Sequence, residues 1–283
     1  MGGWCAQQKY RRTGTAAMQP RGDISNRRAR AGFTLLDVIV SIAVIALLIS
    51  ILLPSLHKAN ESARRVACQS NIRQIGIGVL TYADDYAGHI PISAFLRSGD
   101  VKQPQQMITL RLGDEQRNWL NTEATWDGLG MLHSNQYLTS PGVYYCPSHR
   151  GENRFANVAD TWNSDEGEII GNYHYRGEGP AGVDRRTGQP IGFTGLLAQI
   201  DPQQTSLIAD GMRVRADFNH QVGANFFRAD LSVLWFADPG RRLLAALPTS
   251  LNDANSATVQ NAWAWYDRST GIPNVVPGDD TSR

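Results

Sequence analysis

The sequence predicts an α+β fold in which one long N-terminal helix packs on an antiparallel sheet. Three observations carry this. Residues 38–53 hold no charge, and Ser41 and Ser50 are their only polar side chains. Apolar residues then recur at three- and four-residue steps between Ala59 and Tyr82, the period of a helix with one buried face. After Gly142 come short β-branched and aromatic runs separated by Gly, Pro and Asp, the pattern of strands and turns.

The chain divides by composition into a basic leader (1–32), an apolar helix (33–56), its amphipathic continuation (57–88), a head (89–271) and a tail (272–283). At 1.5 Å per residue, residues 33–56 span about 35 Å, enough for the hydrocarbon core of a bilayer. Ser41 and Ser50 can bond back to a carbonyl one turn earlier, so they cost little in lipid. Before Phe33, Lys9, Arg11, Arg12, Arg21, Arg27, Arg28 and Arg30 stand against Asp23 alone, a net +6, which leaves −5 for the rest of a chain of overall charge +1. A basic flank stays in the cytoplasm, so the head is expected outside. This topology accounts for the arginines and argues against nucleic acid as a partner. A secretory signal would end its apolar run at a small-residue cleavage site; here Leu52-Leu53-Pro54-Ser55-Leu56 continues straight into the helical pattern. Met18 is an alternative start to Met1.

Asp37 interrupts the apolar segment, where a carboxylate costs about 2.5–3.5 kcal/mol and marks a functional position. The run Gly32-Phe33-Thr34-Leu35-Leu36-Asp37 ahead of the apolar helix resembles the processing site of type IV prepilins and type II secretion pseudopilins. The resemblance implies that a prepilin peptidase cuts after Gly32 and that Phe33 becomes the N-methylated N-terminus. Asp37 then takes the place of the acidic residue that pairs with a neighbouring subunit's N-terminus, where the family usually has glutamate. Pro54 lies where these helices often carry a kinking proline. The implied protein is a pilin-like structural subunit, single-pass in the bacterial inner membrane, whose partners are the peptidase, other pilin subunits and the lipid bilayer.

The helix is expected to run from Phe33 to about Tyr86. Ala59, Ala63, Val66, Ala67, Ser70, Ile72, Ile75, Val79 and Tyr82 form its expected buried face, and Lys58, Glu61, Arg64, Arg65 and Arg73 its solvated one. Gly76 and Gly78 each weaken it by about 1 kcal/mol relative to alanine. Gly88 is the expected cap, with Pro91 beyond it. Residues 92–142 read as an insertion over the sheet, with a short helix between Leu129 and Leu138. Strands are expected at 143–146, 169–175 and 206–209, with a hairpin of 225–230 and 232–236 around Asp230-Leu231. The glycine-rich stretch 177–195 reads as a loop. Trp263, Trp265 and Tyr266 dock the C-terminal segment, and the tail reads as mobile.

Of the three cysteines, Cys5 would leave with the leader. Cys68 and Cys146 can pair in an oxidising compartment or remain two buried thiols, and spacing leaves both open. Three stretches resemble a group of prepilin-like proteins abundant in Planctomycetes-type bacteria: residues 63–76, Tyr145-Cys146-Pro147-Ser148, and the unit from His220 to Asp230. That group carries a His-x9-Asp-Gly motif. His220, Gly223, Asn225 and Asp230 are present, and Leu231 replaces the final glycine. A hydrogen bond between His220 and Asp230 that pins the hairpin is the favoured role, with Asp210 as a third member; a general base or metal ligand is the alternative. The other histidines read as loop or surface residues. Neither Gly-x-Ser-x-Gly nor His-Glu-x-x-His occurs, so no catalytic residue, enzyme activity or cofactor is expected. Asp253, Asp267, Asp279 and Asp280 are weak calcium candidates that form no recognisable loop. The alternative function is an exported glycan-binding or enzymatic head, with Trp119, Trp126, Trp162, Trp235, Trp263 and Trp265 as a sugar platform.

Overall fold

The computed structural model describes residues 34–97, 103–177, 182–183, 190–191 and 195–269. The leader with Gly32 and Phe33, most of the glycine-rich loop, and the tail with Asp279 and Asp280 lie outside the described residues. The chain divides into two compact units, residues 1–52 and 53–283.

In the first unit the described chain is the front of helix α1 (Leu35–Asp85). Thr34 N and Oγ1 donate to Asp37 Oδ2 at 2.9 and 2.8 Å, and Asp37 N donates to Thr34 Oγ1 at 3.2 Å. This reciprocal cap satisfies donors that a helix start leaves open. Ser41 Oγ and Ser50 Oγ donate back to Asp37 O and Leu47 O at 2.6 and 2.7 Å. The large apolar side chains here, Leu35 through Leu52, are all exposed.

The second unit holds the rest of α1, which contains Pro54. Tyr86 follows, and Gly88, at φ +84°, donates to Ala83 O at 2.8 Å to close the helix. Next come α2 (Ala94–Arg97), β1 (Thr109–Arg111), α3 (Asp114–Leu120), α4 (Gly130–Ser134), α5 (Phe155–Trp162), β2 (Ile169–Ile170) and β3 (Tyr173–Tyr175). Then follow β4 (Gly182–Val183), β5 (Pro190–Ile191), β6 (Ser206–Asp210), β7 (Gly223–Arg228), β8 (Val233–Ala237), α6 (Arg242–Ala246) and α7 (Ser256–Arg268). The main sheet is antiparallel in the order β3-β6-β7-β8, while β1-β2 and β4-β5 form small ladders.

Side chains alternate across a strand, and both faces of the main sheet are covered. Toward α1, Cys68, Ile72, Ile75, Val79 and Tyr82 join Tyr173, Tyr175, Ile208 and Phe227 in one apolar cluster. Toward α7, Ala209, Ala224, Phe226 and Phe236 join Val259, Ala262, Trp263 and Tyr266 in a second. Phe226 and Tyr266 stack at 5.3 Å, and Asn255 caps α7 by accepting from Thr258 N.

Several expectations change. The inward stripe of α1 runs Glu61, Arg65, Cys68, Ile72, Ile75, Val79 and Tyr82, whereas Ala59, Ala63, Val66, Ala67 and Ser70 are exposed. The sheet partners opposite the early part of the stripe are polar or aromatic, so charged residues occupy it; the Arg65 guanidinium lies 3.6 Å from the Trp235 ring centroid. Gly76 is no weak point, because a Cβ there would collide with the Phe227 ring, so its bare backbone permits the contact. Residues 143–146 are not a strand. Pro141 opens a 3-10 turn through Tyr144, since Pro-Gly favours a turn over a ladder. Residues 169–175 split between two sheets at Gly171-Asn172, with Asn172 Nδ2 donating to Asn153 O at 2.8 Å. Residues 92–142 contribute β1 and α3 as well as a helix over residues 130–134. In the β7–β8 turn Leu231 sits at φ +70°, a conformation that favours glycine.

Gly76→Ala should lower the unfolding free energy by about 1–3 kcal/mol through overpacking. Leu231→Gly should raise it by up to about 1 kcal/mol by relieving the left-handed backbone. Thermal and denaturant unfolding followed by circular dichroism measures both.

Candidate functional site

One cluster of buried polar groups in the second unit lies beneath α1. β6 ends at Asp210, opposite Tyr173, with its side chain on the α1 face. Asp210 is fully buried; Oδ1 accepts from Asn219 Nδ2 at 2.9 Å and Oδ2 from Asn225 N at 2.6 Å. Burial pushes its carboxyl pKa up, and neighbouring His220 and the two asparagines oppose that shift.

His220, just ahead of β7, is buried. Its Nδ1 lies 2.7 Å from Glu61 Oε1, and its Nε2 lies 3.7 Å from Asp210 Oδ2 and 3.7 Å from Cys146 Sγ. Its ring meets Trp235 edge-on at 5.6 Å. Glu61 also accepts from Ser148 Oγ at 3.0 Å. Cys68 and Cys146 form a disulfide with Cα atoms 5.3 Å apart, tying α1 to the segment after the Pro141 turn. Asn225 Nδ2 lies 3.3 Å from His220 Nε2, and Asn225 Oδ1 is buried without a hydrogen-bond partner among the described residues. Glu61 and Ser148 also line a cleft of about 510 Å³ whose rim carries Arg150, Arg215 and Arg241.

The structure thus brings His220, Asn225 and Asp210 together and leaves Asp230 out. Asp230 is exposed in the hairpin turn, where its Oδ1 accepts from Ser232 N at 2.9 Å. His220 precedes β7 and Asp230 follows it, and an extended strand of that length separates them by about 20 Å. Glu61 takes the partner role expected of Asp230. Its position four and seven residues before Arg65 and Cys68 is the helical signal that could have revealed it. His149 and His174 are buried rather than on the surface: His149 Nδ1 lies 2.9 Å from Asn219 Oδ1, and His174 Nε2 donates to Pro104 O at 2.8 Å. Burial lowers both pKa values, that of His174 to about 4. Asp267 is spent on Arg176 and Ser206 N, both at 2.8 Å, and Asp253 is exposed in a short turn.

The tryptophans do not share a surface. Trp263 lies in the α7 cluster, and Trp126 and Trp162 pack with each other at 5.7 Å beside the α1 cluster. Trp235 sits against Arg65, Trp265 packs at the α7 cluster near Phe236, and Trp119 is exposed.

A half-apolar helix carried on into an antiparallel α+β head defines a pilin-like class of protein; among the described residues one helix, α1, is long and apolar enough to cross a membrane. Residues 57–212, more than half of the chain, match the family described as "Protein of unknown function (DUF1559)", and the chain belongs to that family. It is also similar to the ComG operon protein 3 homolog of Bacillus licheniformis, 33% identical over 73 residues that cover 25% of this chain and 75% of the relative. Competence protein ComGC of Halalkalibacterium halodurans is 30% identical over 90 residues, 30% of this chain and 87% of the relative. No solved structure matches the chain.

Glu61→Ala should destabilise the head by about 1–3 kcal/mol, because it strips acceptors from His220 and Ser148. Asp230→Ala should cost less than about 1 kcal/mol, one exposed turn bond. Chemical denaturation of the two variants side by side tests whether Glu61, rather than Asp230, partners the histidine.

Proposed function

We propose that the protein is a membrane-anchored pilin-like subunit, cleaved after Gly32, N-methylated on Phe33, and built into a type II secretion or type IV pilus-like assembly. In this reading it has no catalytic role. Its partners are a prepilin peptidase, other subunits and the bilayer, and it sits in the inner membrane with the head outside. The supporting observation is the front of α1: apolar side chains from Leu35 to Leu52 are exposed around the helix, with Asp37 as the sole carboxylate among them. Such a surface requires lipid or like helices to cover it.

Asp37 supplies register. In the single subunit its carboxylate is occupied by Thr34 N and Oγ1. A neighbour's N-terminal ammonium can replace those neutral donors with a charge-assisted bond, and only a subunit in register avoids an unpaired charge in lipid. The similarity to the ComG operon protein 3 homolog and to competence protein ComGC supports the reading of a subunit that assembles with others of its kind.

Asp37→Ala should cut incorporation into assemblies at least about tenfold while leaving leader removal intact, and Asp37→Glu should retain assembly. Cross-linking in membranes and mass spectrometry of the mature N-terminus read the two steps. Wild-type assembly of Asp37→Ala would remove the role. A mature protein beginning upstream of Phe33, or lacking the apolar helix, would overturn the whole reading.

A further inference from the structure

We propose that Cys68, Cys146, Asp210 and His220 form a binding site for a zinc-type divalent cation, closed while the cysteines are joined and opened when they are reduced. One ligand atom from each residue lies within 4.8 Å of the other three, and all four residues are buried. They come from α1, the segment after the Pro141 turn, the end of β6 and the residue run before β7, so tertiary structure alone assembles them. Two sulfurs, an imidazole nitrogen and a carboxylate oxygen are a donor set that tetrahedral zinc accepts, at about 2.3 Å to sulfur and about 2.0–2.2 Å to nitrogen and oxygen.

The surroundings are those of a metal centre rather than of a bare disulfide. Glu61 on Nδ1 orients the His220 ring so that Nε2 faces the sulfurs and Asp210, the carboxylate–histidine arrangement that supports a metal-bound imidazole. Tyr173 OH donates to Cys68 Sγ at 3.3 Å and Ser148 N to Cys146 Sγ at 3.4 Å, bonds that stabilise thiolate charge. Asn219 and Asn225 N hold the carboxylate of Asp210. The imidazole stands between the fully buried Asp210 and the partly exposed Glu61, and the nearby Asn225 Oδ1 has no hydrogen-bond partner among the described residues. A cation beside Asp210 would compensate the one carboxylate here that is fully out of reach of solvent.

The redox step balances with an external dithiol as reductant. The S–S bond breaks, two electrons and two protons pass to Cys68 and Cys146, and the reductant closes to its own disulfide. Binding of the cation then displaces both thiol protons to solvent and leaves two thiolates, a neutral imidazole and a carboxylate as ligands. The disulfide and the metal are therefore alternative closures of one site.

The test uses the full chain in detergent, reduced with a dithiol, freed of it under nitrogen, and titrated with Co²⁺. The expected result is one equivalent bound, with a near-ultraviolet thiolate-to-cobalt band and visible bands of tetrahedral coordination, all erased by Zn²⁺ and absent from the oxidised chain. Glu61→Gln should keep the bands and weaken affinity about 10–100-fold. Cys68→Ser should lose the stoichiometric band. A reduced chain that binds no Co²⁺, or bands that persist when both cysteines are serine, would overturn the proposal. So would a reduced chain that unfolds by circular dichroism and is not refolded by one equivalent of Zn²⁺.

Discussion

The head depends on the close approach of α1 to β7 where Gly76 meets Phe227. A helix can lie flat on a twisted sheet only where nothing holds it off, and a bare backbone at the crossing lets the ring fill the gap. Ile72, Ile75 and Val79 then reach Tyr173 and Ile208 in one cluster. Burying such side chains is worth about 1.5–3 kcal/mol each, so one missing Cβ supports much of the apolar cluster beneath α1. The helical cost of a mid-helix glycine is small beside that.

The same crossing covers a polar cluster nearer the start of the head. Asp210, His220 and Asn225 would be expensive beneath a purely apolar helix. Here α1 supplies Glu61 to the imidazole and Arg65 to the face of Trp235. The Cys68–Cys146 bond joins helix and head at the same level. Apolar contact and polar satisfaction thus divide the stripe between them, with Cys68 at the boundary.

At the other end of α1, Asp37 is satisfied within its own helix turn. Its carboxylate accepts two bonds from Thr34, a local arrangement that needs no partner and holds the helix start in shape. Neutral donors of this kind are weaker than an ammonium in lipid.

The sequence by itself determined the long helix, the apolar segment, the turn at Gly88 and the strands at β6, β7 and β8. These follow from periodicity and local turn chemistry, which a single stretch of chain carries in full. It also marked His220 and Asn225 through their resemblance to a family motif, and Asp210 as the end of a neighbouring strand. Only the tertiary structure decided that Glu61 rather than Asp230 meets the histidine, that the inward stripe of α1 carries charge, and that both faces of the sheet are buried. Those outcomes depend on which segments lie opposite one another across the sheet. A charged residue reads as solvated until the partner that neutralises it, far away in the chain, is brought against it.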